Sequence, residues 1–109
     1  MIVSSVLVWT ANAAPSKPVP GTVYVAEWPQ ETSAGKDLSV FCPTGQRASG
    51  GGGYVFATQA PTFLTTSVPI DSGGAPALQG ELAVGWHVAA TFDLTVTNSW
   101  GLRGYVVCE

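Results

Sequence analysis

The stretch from Cys42 to Tyr54, CPTGQRASGGGGY, limits the possible folds more than any other part of the chain. It begins at one of only two cysteines. A proline directly after that cysteine and a glycine two residues later suit a tight turn. Four consecutive glycines, Gly50 to Gly53, then run into the aromatic segment Tyr54 to Ala57. Glycine inside or beside a strand marks a bulge or a close approach of two backbones. A flexible loop is the plainer reading of the same run. A phosphate cradle would need a following helix and a Lys-Ser/Thr pair, and the sequence supplies neither. The second cysteine, Cys108, is the penultimate residue. The two are read as one clamp tying this turn to the last strand.

On either side of that stretch the chain breaks into short alternating runs. Residues 1–14, MIVSSVLVWTANAA, combine a short apolar run with small residues at Ala11 and Ala13. This is the pattern of a signal-peptide remnant, although no Lys or Arg precedes the apolar run. The other reading is a first β-strand. The run falls short of the ~20 apolar residues of a membrane-spanning helix, so no transmembrane segment is expected. Residues 15–21, PSKPVPG, are a proline-rich tether.

The domain proper is assigned to 22–109. Thr22 to Trp28 is the first strand, ended by Pro29. In Leu38 to Cys42 the residues Leu38, Val40 and Cys42 share one face. Phe63 to Val68 follows, ended by Pro69. A long loop covers 71–81. In Val84 to Phe92, Trp86, Val88 and Ala90 oppose His87, Ala89 and Thr91. Leu94 to Thr97 is a candidate continuation of that strand after a kink at Asp93, and Asn98 to Gly101 is read as a turn. In Leu102 to Cys108, Leu102, Gly104, Val106 and Cys108 face one way. No window sustains a 3.6-residue apolar period. About seven short strands separated by turn signals predict an all-β, single-domain antiparallel β-sandwich of jelly-roll-like character with one disulfide.

Composition narrows the function. Charged residues make up 10% of the chain, against about a quarter in an average domain. Four dispersed cations and a net charge of −3 leave no basic patch to neutralise phosphates, so no nucleic-acid partner is expected. Each cysteine lies with the apolar residues of its strand, which lets the pair meet across a buried layer, and a Cys42–Cys108 disulfide is expected in an exported protein. Two distant cysteines and one histidine do not make a zinc site, which takes about four ligands at short local spacings. No cofactor or metal is expected.

His87, the only histidine, reads as a hydrogen-bonded strand residue rather than a general base. Asp71, Glu81 and Asp93 read as solvated carboxylates rather than a glycosidase pair, and Arg47 and Arg103 as ordinary surface cations. No catalytic residue is assigned, and the protein is not expected to be an enzyme. The aromatics carry the better functional lead. Trp28 at a strand end, Tyr54 after the glycine run and Trp100 in a turn are expected to be exposed and to form a ligand-binding set. Tyr105 faces away from the Cys108 side. Exposed aromatic side chains commonly carry binding energy.

Four motifs in order extend this reading. Cys42-Pro43-Thr44-Gly45 with Gly53-Tyr54 is followed by Ser67-Val68-Pro69, then Gly85-Trp86-His87-Val88, then Tyr105-Val106-Val107-Cys108. Together they resemble a small β-rich module, often C-terminal, of secreted actinobacterial proteins and of proteins from phages that infect those bacteria. The resemblance covers about residues 38–108. Asp93 stands near the place where the module usually has an asparagine. What the resemblance implies is architecture and location: secreted, at a cell surface or on a virion. It implies no chemistry. The expected function is a structural or adhesion module, with binding of a carbohydrate or envelope glycan through exposed aromatics as the alternative. The expected partner is a cell-surface glycan or protein.

Overall fold

A computed structural model describes residues 21–56, 62–92 and 99–109. They contain β1 (Thr22–Glu31), β2 (Gly35–Phe41), β3 (Ala48–Phe56), β4 (Thr62–Ile70), β5 (Gly85–Phe92) and β6 (Trp100–Cys108). The strands form two three-stranded sheets, ordered β1-β6-β3 and β2-β5-β4, with every pairing antiparallel. Among the described strands, only β4 and β5 follow one another in sequence and pair. Every other connection crosses between the sheets, so the sandwich is held by non-local contacts.

Period-two patterning decides which side chains fill the space between the sheets. In β6, Trp100, Leu102, Val106 and Cys108 are each 0% exposed, and Val40, Val88 and Ala90 meet them from the other sheet. Trp86 of β5 packs against both halves of this core. Its indole N–H donates to Ser67 Oγ at 2.9 Å, so the half-buried ring keeps its polar atom satisfied.

The glycine run belongs to β3 itself, which starts at Ala48 rather than at Tyr54. Its ladder to β6 slips between Ala48 and Gly50, where Ser49 is the extra residue of a bulge. A methyl group at Gly51 would lie 2.4 Å from the Trp86 ring, and one at Gly53 would lie 3.0 Å from Val88 and 2.7 Å from the Arg103 carbonyl. The inward glycines therefore leave the room that β5 fills with Trp86 and Val88.

The expected disulfide is present. Cys42, just past β2, joins Cys108 at the end of β6 with 5.8 Å between Cα atoms and 66 residues of separation. It links the edge of one sheet to the centre of the other. Beside it, Arg47 and Glu109 exchange backbone hydrogen bonds of 3.0 and 2.9 Å.

Several boundaries differ from expectation. β1 runs through Pro29 to Glu31, with a register irregularity between Trp28 and Glu31. β4 includes Pro69. Both are edge strands, where a missing N–H leaves the ladder on the other side intact. Trp100, expected in a turn, is the first residue of β6. Residues 1–14, most of the tether and the candidate strand Leu94 to Thr97 lie outside the described residues.

Candidate functional site

The outer face of β1-β6-β3 arranges exposed apolar and aromatic side chains in rows. Val23 pairs with Val107 and Val25 with Tyr105, while Glu27, Arg103 and Tyr54 form the third row across the three strands. Val23, Val25 and Tyr54 are 53%, 58% and 46% exposed. Arg103 organises the middle of the face. Its Nε donates to Glu27 Oε1 at 2.9 Å, Nη2 donates to the same carboxylate, and Nη1 donates to the Tyr54 hydroxyl at 2.7 Å. The guanidinium carbon lies 4.7 Å from the Phe56 ring centroid and 5.5 Å from that of Tyr54. Hydrogen bonds from Arg103 to Glu27 first, and then to Tyr54, hold the guanidinium above its ordinary value. The arginine therefore remains a fixed cation.

Glycine shapes this face too. Phe56 lies over Gly101, where a Cβ would meet its ring at 2.2 Å, and the Tyr105 hydroxyl lies over Gly52 at 2.9 Å from the corresponding position. Next to Val107, a Cβ at Gly50 would meet nothing within 4 Å. The result is a ridge of aromatic and charged groups beside an apolar shelf. Pinned Arg and Tyr side chains among apolar neighbours are the residue types that carry binding energy at interfaces.

The three aromatics expected to act together do not share a face. Tyr54 belongs to the outer face just described. Trp100 is 0% exposed, which corrects its expected exposure, and Trp28 is half-buried against the same core. Both rings bracket Lys36, whose Nζ lies 5.2 Å from the Trp28 centroid and 4.8 Å from that of Trp100. The Trp100 indole N–H donates to the Ser33 carbonyl at 2.7 Å. Lys36 reaches the Glu31 carbonyl at 3.2 Å and makes an ion pair with the Glu31 carboxylate. An ammonium group withdrawn from water needs such partners, and the two core-packed tryptophans supply them.

On the opposite sheet's outer face, His87 Nδ1 is 2.8 Å from Ser39 Oγ, and its Nε2 is 3.7 Å from Asp37 Oδ2. The histidine is a hydrogen-bonded strand residue, as its lone mid-strand position suggested. Asp71 and Glu81 are occupied within the long loop. Asp71 Oδ1 accepts from the N–H groups of Gly73 and Ala75, and Glu81 Oε1 accepts from that of Leu78. Asp93 lies outside the described residues. Among the described residues no three His, Cys, Asp or Glu side chains gather where a metal ion would bind. A shallow hollow of about 290 Å³ lies beside the disulfide, lined by Phe41, Pro43, Thr44, Gln46, Ser72 and Val84 among others.

Sequence position points to an exposed Tyr54, which the structure shows, but not to its neighbours across the sheet. From sequence Arg103 looks like an ordinary surface cation, and Val23, Val25 and Glu27 carry no distinguishing motif. The available signal was the alternation of β1 and β6, which puts Val23, Val25 and Glu27 on the same side as Arg103, Tyr105 and Val107. No family model, curated protein or solved structure matches the chain.

Proposed function

We propose that the chain is a non-enzymatic β-module of the extracellular space, a cell envelope or a virion surface, acting in structure or adhesion through the outer face of β1-β6-β3. The single observation that carries this reading is the exposed Val23–Val25–Tyr54 surface built around a pinned Arg103. A disulfide bridging the sheets suits an oxidising compartment, and the four-motif resemblance points the same way. The partner is a cell-surface protein or glycan. Glycan stacking is the weaker version, because Trp28 and Trp100 are committed to Lys36 and the Arg103 guanidinium lies against Tyr54.

The test is retention of module-coated beads on actinobacterial envelope preparations, run beside a glycan array. Tyr54→Ala and Val25→Asp are expected to weaken retention about tenfold or more while the unfolding midpoint moves little. Full retention by both variants would overturn the assignment of the face. Specific array binding that is lost in Tyr54→Ala would favour the glycan as partner.

A further inference from the structure

We propose that Lys36 and Glu31 are the precursor of an intramolecular amide (isopeptide) bond that locks the β1–β2 turn. This goes beyond the docking role and does not depend on it.

The turn brings together the parts such a bond needs. The nucleophile is Lys36 Nζ, on a side chain with 0% exposure, held between the Trp28 and Trp100 rings. Its polar contacts are the carboxylate and the main-chain carbonyl of Glu31. The electrophile is Glu31 Cδ. Both carboxyl oxygens are held by the intervening Ser33, whose N–H donates to Oε1 at 2.9 Å and whose hydroxyl donates to Oε2 at 2.7 Å. Donors fixed on both oxygens stabilise negative charge that develops when the carbon is attacked. Enforced proximity supplies much of the barrier reduction for a reaction between two bound groups. Burial lowers the Lys36 ammonium from its ordinary value, which favours the free amine that a lysine nucleophile requires.

The step balances without any co-reactant. Proton transfer from Lys36 to Glu31 converts the ion pair into an amine and a carboxylic acid. The Nζ lone pair bonds to Cδ, and the carbonyl pair moves onto an oxygen held by Ser33. A proton passes from nitrogen to the departing hydroxyl, the C–O bond breaks, and one water leaves. The Glu31 side chain is 43% exposed, so that water has a route out. The product is an uncharged amide, which removes the desolvation penalty that a buried ion pair carries.

Peptide mapping of the stored, natively folded protein decides the matter. The amide predicts that trypsin no longer cuts after Lys36. It also predicts that the fragment running through to Arg47 is lighter by one water, about 18 Da. Tandem spectra would place that loss between Glu31 and Lys36. The Lys36→Arg protein is expected to show no such loss. Normal cleavage after Lys36 with both fragments at full mass would overturn the proposal. So would a loss of water that persists in Lys36→Arg.

Discussion

At Lys36 an ammonium group sits between two indole faces and pairs with the Glu31 carboxylate. Removing that carboxylate strands a buried charge, a change that costs about 3 kcal/mol or more. Glu31→Ala is therefore expected to lower the urea midpoint substantially at neutral pH. The loss should be partly recovered as pH rises. Burial holds the Lys36 ammonium below its ordinary 10.5, so the folded chain releases that proton before the unfolded chain does. Between those two values the unfolded state binds more protons, and stability increases with pH. Denaturation of Glu31→Ala at neutral pH and just below 10.5 checks the sign, and a fall in stability over that interval would contradict it. A second contrast separates two glycines that are neighbours in sequence. Gly51→Ala places a methyl group 2.4 Å from the Trp86 ring, and overpacking of this kind costs about 1–3 kcal/mol. Gly50→Ala meets nothing within 4 Å, and reduced freedom of the unfolded chain makes it neutral or stabilising by about 0.4–1 kcal/mol. Thermal unfolding of the two variants measures both.

β6 shows which parts of the fold were legible in the sequence. Its buried residues and its outward Arg103, Tyr105 and Val107 alternate without interruption from Leu102 onward. Leu38 and Val40 of β2 pack into the same core, and Cys42 joins them at the strand's end. A two-residue period is a local signal, so the strands, the inward cysteines and the sandwich could be read directly. The start of β3 could not. Glycines carry no side-chain pattern, and what makes Gly50 to Gly53 a strand is the ladder to β6 and the bulk of Trp86 and Val88 beyond it. The two misplaced tryptophans fail for the same kind of reason. Local position, a strand end and a turn, suggests exposure for Trp28 and Trp100. Their burial instead comes from packing against Val88, Ala90 and Leu102 and around Lys36, tertiary contacts with no signature in either neighbourhood. Arg103 was legible as outward-facing, but its clamp needed Glu27 and Tyr54 from two other strands.

Over the whole molecule the sandwich depends on contacts between distant segments, and the disulfide is the covalent one among them. Closing a loop across 66 residues stabilises the native state by roughly 4 kcal/mol in the chain-entropy model. That is a large share of the ~5–15 kcal/mol of a typical domain. Reduction is therefore expected to lower the unfolding midpoint steeply, and Cys42→Ser is expected to match the reduced protein. A midpoint unchanged by reductant would show that the hydrophobic layer alone suffices. The molecule also offers two outer faces of different character. One carries Arg103 and its aromatic neighbours, and the other carries Phe63 and Phe41 at 60% and 45% exposure. The functional reading commits to the first. Hydroxyl-radical footprinting of the module bound to an envelope preparation compares them directly. The prediction is protection of Val25, Tyr54 and Tyr105 with Phe63 and Phe41 labelled as in the free protein. Protection of Phe63 and Phe41 with Tyr54 unchanged would contradict it.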